Sequence, residues 1–380
     1  MNKLVNNCCY PNLLFLLGIL TLSPFSLVLF KDLLGLPTAF PELFLIFYLI
    51  FTRKSLNKMI KSCNNLSFWI LIWIILFAIA VFVNVYSFSS VLANSRSWLL
   101  LFILASYSQR NINQDDVLYL SFGSIIGWML TCFFSVRFMI NNGDFMGTTG
   151  NLLAIPLFLS LSLQRNKKMF YIGILPILII CFLSGVRRAL FVTVLSLIII
   201  LIRRYFNPKY IVRISILISA IYSLLLYFID SIKDLLYQIS PMLYVRTFDR
   251  YGSDDSADQD RLNMIIGMFE DMFSYIMPHG FYSSRTDIDG TGKYIDLPLS
   301  GLIYIFGFPI VAFIIFCFVL KYFKLLKMYF KNQNSEYFAY AISLLLCFSF
   351  LFFEGSFIAV LYATPLTGIC IGKLLSLTKK

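Results

Sequence analysis

The sequence predicts an all-α polytopic membrane protein with about twelve transmembrane helices and one large outer loop that contains short amphipathic helices. Three observations predict it. Hydrophobic residues make up 59% of the 380 residues and charged residues only 13%, about half the charged share of a soluble domain. Forty phenylalanines and a mean hydropathy of +0.82 leave too little polar surface to clothe a soluble globule of this size. The polar residues are also gathered in one place. The stretch from Asp230 to Leu299 holds twelve of the nineteen acids, six basic residues and the only histidine, His279.

A span needs about 17–25 mostly apolar residues. Twelve such runs are read in order: 12–30, 36–51, 66–84, 90–107, 117–138, 149–163, 169–183, 189–202, 211–229, 299–320, 337–353 and 357–374. The start, with Lys3 before Leu13 to Leu20, has the form of a signal peptide, but so many spans follow that an uncleaved first helix is expected. With the N-terminus inside, the inner connections carry twenty Lys and Arg against three acids, and the outer ones eleven against sixteen. That bias sets both termini in the cytoplasm and residues 230–298, between the ninth and tenth spans, outside. In a Gram-negative cell the outside is the periplasm, and the chain is a single transmembrane domain, 1–380, with that one inserted loop.

The net charge of +12 does not point to nucleic acid, because the basic residues are spread over span ends rather than clustered on one face. Cys132, Cys181, Cys317, Cys347 and Cys370 fall in apolar spans and none lies in the large loop, so no disulfide framework is expected there. No internal repeat and no inverted pair of interrupted helices is visible.

Within the loop, Ile232, Leu235, Leu236 and Ile239 fall at helical spacing, and Pro241 ends the pattern. A second helix is expected after the acidic run Asp254, Asp255, Asp258 and Asp260. Its apolar stripe is Leu262, Ile265, Ile266, Phe269, Met272, Phe273 and Ile276, and the acids would complement its dipole. Arg246, Arg250 and Arg261 bracket the acidic run. A guanidinium suits phosphate because its planar fork donates two parallel charge-assisted hydrogen bonds; the same arginines could instead pair with the acids around them. The acidic run lacks the glycine and terminal glutamate of a calcium loop, and one histidine without a loop cysteine makes no zinc site, so no metal is expected.

Basic residues on the outer side work against the topology and need a reason. The sharpest case is Ser184-Gly185-Val186-Arg187-Arg188, a hairpin between the seventh and eighth spans with two cations and no acid. Arginines at a bundle boundary are costly unless they meet water or an anion. Arg96 and Arg137 lie near other outer span ends, where an arginine usually snorkels, and Glu42 follows Pro41 near a helix start that favours a carboxylate. His279, in Pro278-His279-Gly280-Phe281, is the one side chain whose ordinary pKa suits base catalysis near neutrality, although a turn role is the commoner fate of such a residue. Asp296, just before the tenth span, and Glu354, in a short turn, are carboxylates that could take a proton from a hydroxyl.

This layout resembles the Wzy-type O-antigen polymerases, the oligosaccharide repeat-unit polymerases, which are distantly related to the O-antigen ligases. Four features carry the resemblance. There are about twelve spans with both ends inside, and one large late outer loop. A Ser-Gly-x-Arg turn, Ser184 to Arg188, runs into Ala189-Leu190. A segment led by Arg261 ends in Pro278-His279-Gly280, and Asp296-Leu297-Pro298-Leu299 then leads to Gly307. The resemblance covers most of the chain in layout and short stretches in motif.

The resemblance implies an inner-membrane glycosyltransferase without a cofactor, since the diphosphate bond supplies the energy. It would move the glycan from undecaprenyl diphosphate to the outer-end sugar of another lipid-linked repeat unit. Arg187 and Arg188 are then expected at the diphosphate, with Arg261 and Arg250 as further contacts, and His279 and Asp296 as catalytic candidates. Partners implied are the undecaprenyl-diphosphate-linked oligosaccharide and, in the same pathway, a chain-length regulator and a flippase. A ligase with lipid A-core as acceptor and a lipid-linked oligosaccharide flippase are the alternative readings. Related ligases have an outer-loop histidine near the next span, where this chain has Asp296, which favours the polymerase.

Overall fold

The computed structural model describes residues 10–36, 42–46, 66–142, 150–184, 187–204, 266–267, 275–283, 298–332, 335–350 and 364–378, with 231, 233–234, 237–238 and 241–244 between them. No strand occurs among these residues, and 88% of them are helical. The expectations for the span 211–229, the acidic run, Arg246, Arg250, Arg261, Asp296 and Glu354 fall outside the described residues, as does most of the loop helix stripe.

The described helices of nine residues or more, in chain order, are α1 (Tyr10–Thr21), α2 (Phe25–Leu33), α3 (Leu66–Val83), α4 (Phe88–Asn111), α5 (Gln114–Asn142), α6 (Ala154–Arg165), α7 (Lys167–Leu183), α8 (Arg187–Arg204), α9 (Pro298–Phe306), α10 (Phe308–Asn332), α11 (Ser335–Phe350) and α12 (Thr364–Leu377). Four of them, α3, α4, α5 and α10, are long and apolar enough to cross a membrane, and α1 with α2 makes a fifth if the bent pair is one span.

The first expected span, 12–30, is not straight. It bends by 78° between α1 and α2, at Leu22-Ser23-Pro24. Pro24 lacks the N–H that would continue the ladder. Hydroxyls take up freed carbonyls at the bend: Ser124 Oγ donates to Leu22 O at 2.5 Å and Ser23 Oγ to Ile19 O at 2.6 Å.

The expected span 299–320 is also broken. Gly307 adopts φ +78°, the left-handed conformation that closes a helix, and its N–H donates to Ile303 O at 2.8 Å. The nine residues of α9 are therefore a separate helix. The 25 residues of α10 extend about 37 Å, enough to cross about 30 Å of hydrocarbon alone. The membrane-length segment thus starts at Phe308 rather than Leu299 and runs through most of the expected inner connection 321–336.

Two pairs of helices approach closely through glycine. Gly123 and Gly127 of α5 face α1, where Gly18 lies so near that a Cβ on it would stand 2.9 Å from Gly123 Cα. On α12, Gly368 and Gly372 face α4; a Cβ on Gly368 would stand 2.8 Å from Leu101 O, and one on Gly372 would strike Ser108 and Ala105 O. Each is a Gly-x-x-x-Gly pattern, the spacing that lets two membrane helices bring their backbones together.

The larger core joins α1, the second half of α4, α5, α6, α7, α8, α11 and α12, with Leu66 of α3 and Leu325 of α10. At its centre is α6, whose Ile155, Leu157, Phe158 and Leu159 are wholly buried. Its twelve residues extend about 18 Å, so it is an interior helix and short of the expected span. Asn166 closes the turn to α7 by accepting from Met169 N–H at 3.2 Å. A smaller core lies beside it, formed by α3, the first half of α4, Phe281, α9 and the start of α10.

Polar contacts between connections fall into two sets. At one end Asn84 meets His279, Asn94 meets Ser283 and Arg96 Nε lies 3.3 Å from Glu42 Oε1. At the other, Arg165 pairs with Asp115 at 2.7 Å and Lys373 with Glu336 at 3.9 Å.

Candidate functional site

The smaller core holds the one candidate site residue whose side chain is described, His279. It sits in a segment, Ile276 to Ser283, that is not helical, and Ile276 lies in a bend and not on the expected helical stripe. The segment is held by the orphan carbonyls of a helix end. The last C=O groups of a helix have no partner within it, and at the end of α9 the N–H of His279 donates to Tyr304 O at 3.0 Å and that of Gly280 to Ile305 O at 3.2 Å. Gly280 has φ +74°, and a Cβ there would strike Leu76 O and stand 2.9 Å from Ala80 N. Only glycine fits between α3 and the end of α9.

Phe281 anchors the segment. It is 1% exposed, with its ring 6.2 Å from Trp73 and 6.4 Å from Trp98. Burying such a ring is worth about 2 kcal/mol against leaving it in water. Trp73 Nε1 is satisfied by Ser95 O at 3.0 Å, so the aromatic pocket carries no stranded indole donor at that position.

The facing wall is the turn from α3 to α4. α3 ends in a π-helical turn, Ile79–Val83, and Val85 follows at φ +56°, strained for a β-branched residue by about 1–3 kcal/mol. On either side of it two side chains reach across. Asn84 Nδ2 donates to His279 O at 2.5 Å, and the Tyr86 and Tyr304 hydroxyls are 2.6 Å apart. From α4, Asn94 Nδ2 donates to Ser283 O at 2.7 Å and to Tyr282 O at 3.4 Å.

The His279 ring stacks on Tyr304 with centroids 4.8 Å apart, and Tyr275 stands at 5.5 Å. Nδ1 is sealed from solvent and has no hydrogen-bond partner among the described residues. An N–H stranded at Nδ1 is the rarer arrangement in a folded interior than a bare acceptor, which favours a ring proton on Nε2.

Arg187 and Arg188 are the first two residues of α8, so the helix begins inside the expected hairpin. Ser184, before them, is buried, and Ala189, after them, packs into the larger core. Ala189, which follows the arginines, and Phe281, two residues after His279, thus belong to different packing clusters. Arg137 is exposed, and Arg96 approaches Glu42. No group of three or more His, Cys, Asp or Glu side chains placed to hold a metal occurs among the described residues. Asn84, Asn94, Tyr86 and Tyr304 were not singled out by the sequence. The one visible signal was a polar residue, Asn84, closing an otherwise apolar span.

The fold and site define an α-helical membrane protein with a histidine-bearing segment seated at one end of three membrane-length helices, α3, α4 and α10. No protein-family model matches the chain, and comparison with curated proteins and with solved structures finds no similar protein.

Proposed function

We propose that the protein is an oligosaccharide repeat-unit polymerase of the bacterial inner membrane, a glycosyltransferase acting on undecaprenyl-diphosphate-linked substrates. In this reading the chain has twelve spans, cytoplasmic termini and residues 230–298 in the periplasm. The observation that carries the reading is the seating of His279 where α3 ends and α4 and α10 begin. In this reading, that end of the helices is where the diphosphate of a membrane-anchored lipid would lie.

The reaction is a one-step displacement. The acceptor hydroxyl oxygen bonds to the sugar carbon that carries the diphosphate, the bond from that carbon to the diphosphate oxygen breaks, and undecaprenyl diphosphate leaves. The hydroxyl proton passes to a carboxylate, for which Asp296 is the candidate. Charge develops on the leaving diphosphate, and Arg187 and Arg188 are suited to it. Two cations in the first turn of a helix oppose its dipole, each by about 0.3–1 kcal/mol, whereas an anion there is favoured by the dipole and both guanidiniums. Arg250 and Arg261 would close over the same group from the loop. His279, with its proton on Nε2, serves as a hydrogen-bond donor to a substrate oxygen and not as the base.

The reading as a whole is tested by deleting the gene in its source strain. The expected product is lipopolysaccharide carrying a single repeat unit; complete loss of repeat units would point instead to a ligase or flippase. The histidine role is tested by two substitutions. Glutamine places an amide N–H close to the position of Nε2, so His279→Gln is expected to keep polymerisation within about tenfold of the parent, while His279→Ala loses about 10²-fold. If glutamine proves as damaging as alanine, the donor role is wrong and a proton-accepting role stands in its place.

A further inference from the structure

We infer that Asn84 and Asn94 are positioning residues for His279, two amide clamps that fix the 279–283 segment as a rigid wall of the site; this rests on the proposed role of His279. The segment is irregular backbone wedged against helices, and its polar groups need partners. The amides of His279 and Gly280 are satisfied by the end of α9. The carbonyls on the other edge are satisfied from across the site: His279 O by Asn84 at 2.5 Å, and Ser283 O and Tyr282 O by Asn94 at 2.7 and 3.4 Å. The two asparagines flank the short turn between α3 and α4, so one helical hairpin grips both ends of a five-residue segment distant in sequence, 195 positions away in the case of His279. Between the clamps, Gly280 and Phe281 are buried.

The chemistry explains why the clamps are amides. The groups to be held are carbonyl oxygens, so the gripping atom must be a donor. Aspartate has the same shape and presents only acceptors when ionised. Because the ring of His279 hangs from a backbone fixed on both edges, its Nε2 direction is set before substrate arrives, which is the preorganisation that hydrogen-bond catalysis requires.

Asn84→Asp and Asn94→Asp, each in the full-length chain in lipid nanodiscs, provide the test, read by amide hydrogen exchange and by polymer formation. Each is expected to speed exchange of the His279 and Gly280 amides about tenfold, the size of one lost hydrogen bond, with the α10 amides unchanged as a sign of intact folding. Each is also expected to lower kcat with KM for the lipid-linked repeat unit little changed, and to have no further effect in a His279→Ala background. Unaltered exchange in both variants overturns the clamp. Loss of activity that persists undiminished in the His279→Ala background overturns the positioning role. Wild-type polymerisation by His279→Ala itself refutes the proposed role of the histidine, and the exchange data then report the clamp alone.

Discussion

Replacing Arg187 and Arg188 together by alanine is expected to cut polymerisation by about 10³-fold, to the point where only single repeat units are seen on lipopolysaccharide. The magnitude follows from removing the groups proposed to stabilise charge on the leaving diphosphate, each such donor contributing about 10²–10³ in rate. The same change should not weaken the fold. Both residues open α8, where cations oppose the helix dipole, so their loss is expected to leave thermal stability unchanged or slightly raised. Loss of polymer with unchanged melting in detergent supports an anion-binding role. Wild-type banding from the double variant would eliminate the diphosphate assignment, and loss of polymer with a collapse in stability would mean that the arginines hold the fold.

Gly280→Ala is expected to unseat the histidine. Two costs combine there: a left-handed backbone at φ +74°, about 1–2 kcal/mol for a residue with a Cβ, and a methyl forced against the Leu76 carbonyl. The second is a backbone atom of a packed helix and has little room to move. Gly35 supplies the control, since it has φ +63° with nothing within 4 Å of its would-be Cβ. Gly35→Ala should therefore report backbone strain alone. Gly280→Ala is expected to be less stable by about a further 1–3 kcal/mol, seen as local exchange at 275–283, and to lose activity to the level of His279→Ala. Equal stability of Gly35→Ala and Gly280→Ala would mean that the segment is not wedged against α3.

The membrane class was legible because hydropathy is a local property. The apolar runs at 66–84 and 90–107 correspond closely to α3 and α4, since partition into lipid depends on the residues of the run itself. Boundaries were less legible where the chain interrupts a greasy run. The break at Gly307 is invisible in an apolar count, because it exists only where carbonyls of α9 find donors in His279 and Gly280. The run expected as a span at 149–163 forms α6, a helix of twelve residues buried in the larger core, and an apolar count does not separate a helix facing lipid from one in the middle of a bundle. The two Gly-x-x-x-Gly pairs were readable in principle, but which helix each one faces was not.

For the site, the sequence singled out His279 by its uniqueness and its place in the polar loop, and Arg187 and Arg188 by charges set against the topology. Those are signals of composition and location. What only the tertiary structure decided is the company His279 keeps: Tyr304 beneath the ring, Asn84 on its carbonyl, and Gly280 passing under Leu76. The physical reason is the range of the forces. Burial in lipid and the bias of positive charge act on each segment by itself and are written into short stretches of residues. A hydrogen bond between residues 195 positions apart depends on how every helix between them packs, and nothing in either stretch alone records it.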